Sequence, residues 1–358
     1  MLKAADTLDP VRQRFLQACA GQPSDCTPVW FMRQAGRYMA EYRKLRKSHP
    51  ILEICKTPRL AAEVTRQPID ALDVDAAIIF ADLLLPVEPM GLGLQFVAGE
   101  GPKISRPVRK AEHVGRVATT RTAELGYVAE SIRLARRLLD DRVPLIGFVG
   151  APFTLASYMI EGGASRNYAA TKQLMWGDPG AWADLMGRIV EVLAEYGASQ
   201  VAAGASAMQV FDSWVGALAP ADYRRLVLPH SQALIQRLRS CGVPVIHFGT
   251  GNAGFLEDFH RAGGDVLGVD WRVDLGPAWA RVGHSTPVQG NLDPIALLAP
   301  LDQLRRSIKS VLDAAGGRSG HVFNLGHGII PQTPVENVRA AVQIVREHTA
   351  GQSACAPR

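Results

Sequence analysis

Cysteine is scarce in this sequence and is not arranged for metal binding or for a disulfide framework. The five cysteines are scattered along the chain: Cys19, Cys26, Cys55, Cys241 and Cys355. None of them belongs to a Cys-x-x-Cys pair, and the chain has no His-Glu-x-x-His motif. We therefore expect neither a bound metal nor a framework of disulfide bonds.

Other segments that would define a class of protein are missing as well. No apolar run approaches the ~18 residues of a membrane-spanning helix, and residues 1–21 contain no apolar core of a signal peptide. The sequence has neither a Gly-x-x-x-x-Gly-Lys-Ser/Thr phosphate loop nor a Gly-x-Ser-x-Gly nucleophile turn. These absences predict a cytoplasmic protein without membrane contact, and they argue against two common enzyme classes.

The composition is that of a globular protein with a mild positive charge. Of the 358 residues, 47% are hydrophobic and 20% are charged, unlike the composition of disordered proteins. The formal net charge of +5 suits an acidic small-molecule ligand. Nucleic-acid-binding proteins usually carry a denser basic stripe, so we expect no nucleic-acid partner.

Short β-rich runs alternate with helical patterns along the whole chain. The eight runs are residues 27–34, 76–84, 144–153, 205–214, 243–251, 265–271, 286–292 and 321–329. Several are continuously apolar, as expected for parallel strands buried on both faces. Eight strand–helix repeats predict an α/β fold of the (β/α)8 TIM-barrel type. An open doubly wound sheet is the alternative, but no Gly-rich phosphate turn follows the first run.

The segments outside these repeats are short, so we expect one domain over residues 1–358. An N-terminal helical extension should cover about 1–26, and a tail should cover about 351–358. The Gly- and Pro-rich insert at 86–108 should form a hairpin or a flap over the barrel mouth. Helix starts are predicted at the Asp178-Pro179 N-cap and at a capping box formed by Thr333 and Glu336.

In a barrel of this kind the chemistry lies at the carboxyl ends of the strands. Polar residues follow or end the apolar runs at Arg33, Arg37, Asp82, Ser157, Tyr158, Asp212, Ser213, His247, Asp270, Asn291, Asp293, Asn324 and His327. Polar residues after strands are often only helix caps or loop surface. We favour that interpretation for Asp270 and for Asp293.

Two residues in this set point to a ligand. Arg33 follows an apolar segment with no acidic partner nearby, so an anion is expected to meet its charge. Asp82 follows a buried run, and its carboxylate must either pair with an arginine or accept N–H groups of a ligand. Arg37, Arg43 and Arg46 could instead form a solvated basic helix face. His327, between two glycines, could be a structural residue.

Two long segments resemble signatures of the uroporphyrinogen decarboxylase family. They are residues 28–38 (PVWFMRQAGRY), followed by Tyr42 and Arg43, and residues 147–158 (GFVGAPFTLASY). Shorter segments at 78–82, 209–213 and 324–328 also match in the family's order, so the resemblance covers nearly the whole chain. One departure is Ala81, where relatives often carry Ser.

The resemblance implies decarboxylation of the four acetate side chains of uroporphyrinogen III, which yields coproporphyrinogen III for tetrapyrrole synthesis. It also implies a homodimer that uses neither a metal nor an organic cofactor. Asp82, Arg33, Arg37, Tyr158 and His327 would be catalytic, with Asp82 on the pyrrole N–H groups and Arg33 as a candidate proton donor. The implied substrate-binding residues are Arg33, Gln34, Ala35, Gly36, Arg37, Arg46, Asp82, Tyr158, Phe211, Ser213 and His327.

Two other functions compete with this interpretation. Corrinoid-linked methyltransferases share the fold and bind zinc through a His-x-Cys pair at a strand end. Here the corresponding residues are His247 and Gly249, so the zinc ligand is missing. Alternatively, a basic barrel mouth could bind an anion or RNA without catalysis, in which case binding would depend on salt and not on Asp82.

Overall fold

A curled parallel sheet surrounded by helices forms the centre of this computed structural model, which describes residues 10–97 and 101–351. The strands in chain order are β1 Ala77–Ile78, β2 Leu94–Val97, β3 Gly101–Ile104, β4 Leu145–Gly150, β5 Ala207–Asp212, β6 Val245–Gly249, β7 Val266–Gly268, β8 Val288–Leu292 and β9 His321–Leu325. The sheet order is β1-β4-β5-β6-β7-β8-β9, and every neighbouring pair is parallel. The predicted TIM-barrel fold is confirmed.

The first predicted strand, residues 27–34, is reduced to a single bridge that closes the barrel. Val29 pairs in parallel with Phe323 of β9, and its carbonyl accepts a hydrogen bond of 2.8 Å from the backbone N–H of Asp75, just before β1. Beyond this bridge, side chains take the backbone amides, because the N–H of Met32 donates to the Asn324 side chain at 3.1 Å. The prediction of a full strand here is therefore wrong, although its place in the barrel is right.

Helices cover the outside of the sheet. The α-helices are α1 Pro10–Cys19, α2 Ala40–Ser48, α3 Ile51–Lys56, α4 Pro58–Leu72, α5 Gly126–Leu139, α6 Pro152–Glu161, α7 Ala169–Gly177, α8 Pro179–Ala202, α9 Pro220–Asp222, α10 Leu228–Arg239, α11 Leu256–His260, α12 Leu275–Val282, α13 Leu301–Ala315 and α14 Val335–Thr349. A π-helix, Tyr223–Val227, lies between α9 and α10. Short 3₁₀ helices occupy Leu85–Val87, Ala111–Arg116, Thr122–Leu125, Val215–Ala217, Ala253–Phe255 and Pro294–Leu298.

The predicted helix starts have different outcomes. Asp178 caps α8 by accepting the N–H of Ala181 at 2.9 Å, and Asp293 accepts the N–H of Ile295 at 2.9 Å. Both caps are confirmed. The capping box at Thr333 is wrong, because α14 begins at Val335 and Thr333 lies one position too early to cap it.

The insert at 86–108 contains a hairpin, in which β2 and β3 pair antiparallel from Leu94 with Ile104 to Val97 with Gly101. The hairpin is attached to α6. The N–H of Ile104 donates to Gly162, and the N–H of Val108 donates to Met159, each at 2.9 Å. The hairpin therefore lies beside the helix that follows β4, on the mouth side of the barrel.

Side chains of the strands alternate between the barrel interior and the helix layer. Met208 of β5 faces the helices, because a β-carbon on Gly197 of α8 would lie 3.5 Å from its methyl group. Gln209, the next residue, faces the interior, where its side chain accepts from Gln289 at 3.1 Å. Gln289 in turn accepts from the indole N–H of Trp30 at 3.0 Å. This polar chain fills the interior across the barrel.

Candidate active site

A cavity opens at the carboxyl ends of the strands. Its empty volume is about 850 Å³, part of it open to solvent. The lining residues are Met32, Arg33, Ala35, Ile78, Ile79, Phe80, Ala81, Asp82, Leu83, Phe148, Phe211, Ser213, Phe248, His327 and Gly328. The cavity brings together residues from both ends of the chain at the place where barrel enzymes hold their substrates.

Six of the predicted site residues line this cavity: Arg33, Ala35, Asp82, Phe211, Ser213 and His327. They come from the segment after the first bridge and from the ends of β1, β5 and β9. Tyr158, on α6, lies close enough to Asp82 and Arg33 for both charges to influence its pKa. The cavity therefore joins one guanidinium, one carboxylate, one imidazole and a neighbouring phenol.

Arg33 is held in the cavity by an unusual backbone conformation. Its φ is 59°, in the left-handed region that residues with a β-carbon rarely adopt. Its side chain passes directly over Gly328, where an added β-carbon would lie 2.5 Å from the Arg33 Cδ. Within the described residues the guanidinium has no ion pair. Arg33 is therefore a positioned, exposed cation available to an anion.

Asp82 lies across from this cation without a bond to an arginine. One of its oxygens accepts the backbone N–H of Leu84 at 2.9 Å. Burial raises the pKa of the carboxyl, while the Leu84 N–H and the charge of Arg33 act in the opposite direction. The structural pairing with arginine that the sequence left open is not formed among the described residues, so the other oxygen can accept donors of a ligand.

His327 is a neutral imidazole at physiological pH. Burial first, and then the charges of Arg33 and Arg272, lower its pKa to about 4. The ring packs edge-on to Phe248 and Trp271, with centroid distances of 6.5 and 6.2 Å. A neutral imidazole can donate one hydrogen bond and accept another without adding charge to the cavity.

Tyr158 presents a protonated phenol beside the cavity. Its pKa is raised to about 12, mainly by burial and then by the charge of Asp82. The ring stacks on Trp214, with centroids 3.7 Å apart and planes inclined by 29°. The phenol is therefore a hydrogen-bond donor whose ring orientation depends on Trp214.

The remaining predicted residues do not line the cavity. Gln34 is buried and structural, since it accepts the N–H of Phe31 at 3.1 Å and donates to Ala76 at 3.0 Å. Gly36 packs against the chain next to Arg33. Arg37 is exposed, and Arg46 donates to the carbonyl of His49.

Several polar residues at strand ends point elsewhere. His247 faces the helix layer and stacks on Phe259 at 3.8 Å, and burial lowers its pKa to about 3. Its predicted place at the mouth is wrong, because residues that alternate in a strand face opposite sides. Asp270 is not loop surface as expected: its carboxylate is buried, accepts the N–H of Gly251 at 2.8 Å and pairs with Arg272 at 2.6 Å.

Three other strand-end residues are also buried. Asn291 donates to the carbonyls of Asp270 and Val273 at 2.9 and 2.7 Å. Asn324 accepts the amides of Met32 and Leu325, and Ser157 is fully buried in α6. Asn291 and Asn324 therefore hold backbone groups around the cavity, whereas the Ser157 hydroxyl has no hydrogen-bond partner among the described residues.

The sequence did not single out the apolar walls of the cavity. These are mainly Met32, Ile78, Phe80, Phe148 and Phe248. In continuously apolar parallel strands the inward and outward residues look alike, so composition carries no signal for them. Register with an inward-facing residue identifies the two phenylalanines of the wall. Phe148 pairs with Gln209 and Phe248 pairs with Phe211, and both partners face the barrel interior.

The described residues offer neither a metal site, nor a disulfide bond, nor a membrane-spanning helix. Residues 10–97 and 101–351 contain no group of three or more His, Cys, Asp or Glu placed to hold a metal ion. The four cysteines in these ranges, Cys19, Cys26, Cys55 and Cys241, are free, and Cys355 lies outside them. No helix in the described part of the chain has the length and apolarity to cross a membrane.

Comparison with known proteins agrees with the geometry. The sequence model described as "Uroporphyrinogen decarboxylase (URO-D)" matches residues 11–348. The chain is 62% identical over 338 residues to the uroporphyrinogen decarboxylase of Solibacter usitatus (strain Ellin6076), covering 94% of this chain and 98% of that protein. It is 57% identical over 336 residues to the uroporphyrinogen decarboxylase of Sorangium cellulosum (strain So ce56), covering 94% and 96%.

Solved structures with the same fold include a methyltransferase from Methanosarcina mazei. The TM-score is 0.79 at 21% identity, and the match covers 94% of this chain and 98% of that chain. At this identity the likeness concerns the fold alone. The family match over nearly the whole chain and the two close relatives decide the classification: the chain belongs to the uroporphyrinogen decarboxylase family.

Proposed function

We propose that this protein removes the four acetate carboxyls of uroporphyrinogen III as carbon dioxide and so yields coproporphyrinogen III for tetrapyrrole synthesis. The observation that carries the proposal is the presence of an unpaired cation and an unpaired carboxylate in one cavity. Within the described residues, Arg33 is a cation without an ionic partner, and Asp82 is a carboxylate without an arginine. The family membership of the chain supports the same reaction.

The substrate has eight carboxylates around a ring of pyrroles, which explains both the charges and the walls of the site. Arg33 would bind one carboxylate in a bidentate manner, as a planar guanidinium allows. Arg37, which is exposed, and Arg46, which is half-buried, would attract the remaining carboxylates. The phenylalanines of the wall, Phe148 and Phe248, would pack against the apolar faces of the pyrroles.

Asp82 would act at the centre of the ring. Loss of carbon dioxide from a neutral pyrrole acetate would leave an unstabilised carbanion. If a ring carbon is protonated first, the electron pair of the breaking C–C bond forms an exocyclic double bond and neutralises the iminium nitrogen. Protonation of that methylene and loss of the ring proton then give a methyl group and restore the pyrrole. A fixed carboxylate on the pyrrole N–H groups stabilises the cation.

The other groups have roles that follow from their charge states. Arg33 stays a candidate proton donor, since of the residues lining the cavity it carries the positive charge while His327 is neutral. Tyr158, Ser213 and His327 would donate hydrogen bonds to substrate carboxylates. No step of this scheme requires a metal or an organic cofactor, which remains a prediction.

The first experiment is anaerobic incubation of the metal-free protein with uroporphyrinogen III, followed by chromatography of the oxidised products. Stepwise appearance of hepta-, hexa-, penta- and tetracarboxylate species is expected. A folded protein that converts nothing would overturn the proposal, and one equivalent of bound zinc would then favour a methyltransferase. Tight, salt-sensitive binding of RNA that Asp82→Asn leaves unchanged would favour an RNA-binding protein.

We also propose a homodimer that covers the barrel mouth. Three exposed apolar side chains follow β8 at this end of the barrel: Ile295, Leu298 and Leu301, which are 52%, 42% and 49% exposed. Sedimentation equilibrium should give twice the monomer mass, and Leu298→Glu should reduce it towards the monomer. A monomeric wild-type protein would contradict the dimer. The cytoplasmic location and the single domain stay predictions, which cell fractionation and limited proteolysis would check.

A further inference from the structure

We propose that Thr154 and Asp212 are positioning residues, which fix the phenol of Tyr158 at the cavity by holding the backbone of Trp214. Neither residue lines the cavity. The inference rests on the proposed decarboxylation, because Tyr158 is assigned there to the substrate.

Asp212 lies behind the cavity wall. Its neighbours in sequence, Phe211 and Ser213, both line the cavity, whereas Asp212 faces the helix layer as Met208 does and is fully buried. One of its oxygens accepts the hydroxyl of Thr154 at 2.8 Å. Thr154 is also fully buried and lies in the first turn of α6. This bond therefore ties the end of β5 to the helix that carries Tyr158.

The Thr154 hydroxyl makes a second contact that extends the connection. While it donates to Asp212, it accepts the backbone N–H of Trp214 at 3.3 Å. A hydroxyl has one donor hydrogen and two lone pairs, so both bonds form together. Asp212 takes up the hydrogen of the hydroxyl and leaves a lone pair directed at Trp214.

Trp214 then returns to α6 through its side chain. Its indole stacks on Tyr158, which lies four residues after Thr154 and thus on the same face of the helix. Tyr168 packs edge-on against the indole, with centroids 5.1 Å apart. The contacts from Thr154 to Trp214 and from Trp214 to Tyr158 form a closed loop that starts and ends on one helix.

Tyr158 depends on this loop for its orientation. Its hydroxyl has no hydrogen bond to another described residue, so ring stacking is what aims the phenol at the cavity. If the Trp214 backbone shifts, the phenol shifts with it. A displacement of about 1 Å at a substrate-positioning group costs on the order of 10²-fold in rate.

A matched set of variants separates positioning from simple structural support. Thr154→Val keeps the shape of the side chain and removes the hydroxyl, whereas Thr154→Ser keeps the hydroxyl. Thr171→Val is the control, because the Thr171 hydroxyl is equally buried and donates to a carboxylate, Glu161, at 2.8 Å, away from the cavity. We expect Thr154→Val to lower kcat/KM for uroporphyrinogen III about 10- to 100-fold, Thr154→Ser to recover most of it, and Thr171→Val to leave it unchanged.

A double-mutant cycle with Tyr158→Phe tests the route of the effect. If Thr154 acts through the phenol, Thr154→Val adds little to the loss in Tyr158→Phe. Trp214→Leu removes the stack at a partly exposed site and should show the loss of kcat/KM that is expected of Thr154→Val. This variant tests the inference if Thr154→Val does not fold. Additive losses, or a folded Thr154→Val enzyme with wild-type kcat/KM, would overturn the inference.

The outcome stays separable from that of the proposed function. Should the wild-type protein convert no uroporphyrinogen III, the proposed function fails, and crystal structures of Thr154→Val and Thr154→Ser still decide the inference. We expect the Tyr158 ring to be displaced in the first and in place in the second. An unmoved ring in Thr154→Val would overturn the inference irrespective of activity.

Discussion

Two aspartates flank the same short strand, β1, and differ in the partners of their carboxylates. Asp75 precedes the strand at the bottom of the barrel and Asp82 follows it at the mouth. Burial raises the pKa of both carboxyls. Asp75 nevertheless accepts from Arg14 at 3.1 Å, from Arg346 at 3.3 Å and from the amide of Val29 at 2.8 Å. Among the described residues, the Asp82 carboxylate accepts only from the backbone N–H of Leu84.

The two carboxylates differ in the number of their protein partners, although burial raises the pKa of both. Through Val29, Asp75 fixes the short bridge that closes the barrel. Its partners come from both ends of the chain, Arg14 and Arg346. In the proposed function, the second oxygen of the Asp82 carboxylate accepts the pyrrole N–H groups of the substrate.

Exchanging each carboxylate for an amide should give the largest difference between the two sites. Asp82→Asn removes the charge that stabilises the cation, so kcat should fall on the order of 10²–10³-fold. Its free energy of unfolding should change by less than about 1 kcal/mol, because no arginine loses a partner. Chromatographic assays and urea unfolding measure the two quantities. An Asp82→Asn enzyme with normal kcat would contradict the assignment.

Asp75→Asn should show the opposite behaviour. Removing one charge from a buried cluster with Arg14 and Arg346 should cost about 3 kcal/mol of unfolding free energy. The kcat of the folded fraction should stay near the wild-type value, since Asp75 lies at the far end of the barrel. A stable but inactive Asp75→Asn protein would show that the two ends of β1 are not independent.

The position of Arg33 can be tested through Gly328. Gly328→Ala places a β-carbon 2.5 Å from the Cδ and 2.7 Å from the Cγ of Arg33. The Arg33 side chain must therefore move. We expect kcat/KM to fall on the order of 10²-fold. Gly187→Ala is the control, since a β-carbon there meets nothing within 4 Å and lies within helix α8. Equal activity of both variants would show that Arg33 needs no fixed position.

A smaller effect is expected on the pH dependence of stability. Burial raises the pKa of Asp212 to about 7, above the unfolded value of about 3.9. Between these two pH values the folded state therefore binds more protons than the unfolded state. The free energy of unfolding, compared with that of Asp212→Asn, falls as the pH rises from about 4 to 7. The loss is at most about 1.4 kcal/mol per pH unit. Urea unfolding of both proteins at pH 5 and pH 7 measures it, and a constant difference would contradict it.

The smallest predicted change concerns His327. The charge of Arg272 is one cause of its lowered pKa, so Arg272→Ala should raise that pKa towards the ordinary value. His321 is the internal control, because its pKa of about 4 comes from burial without a charged neighbour. NMR titration of the imidazole resonances resolves both. An unchanged pKa of His327 in Arg272→Ala would show that the charge of Arg272 does not influence this imidazole.

The sequence was sufficient for the barrel and for the central residues of the site. Alternation of strand-like and helical segments predicted the fold. The position of Asp82 after a buried run predicted a carboxylate that either pairs with an arginine or accepts N–H groups of a ligand, and no arginine pairs with it among the described residues. Arg33, Phe211, Ser213 and His327 likewise reach the predicted cavity. For Arg33, Asp82, Ser213 and His327 a local pattern carries the information, since the mouth of a barrel lies where strands end. Phe211 was expected only from the family resemblance.

What the sequence could not predict depends on contacts between distant residues. His247 and Asp212 look like mouth residues, but the strand turns both towards the helices. Asp75 finds Val29 only after the barrel closes. Thr333 has the residue type of a cap, yet the helix begins one position too late for it. Side-chain direction in buried strands and the exact helix start are set by tertiary packing.

The most direct test of the account is a single-turnover measurement of the first decarboxylation, with enzyme in excess over uroporphyrinogen III. Rapid quenching and chromatography give the rate at which the heptacarboxylate forms in the wild-type enzyme and in Asp82→Asn. We expect both proteins to bind the substrate, and we expect the heptacarboxylate to form on the order of 10²–10³-fold more slowly in the variant. Formation of the heptacarboxylate at the wild-type rate by Asp82→Asn would contradict it.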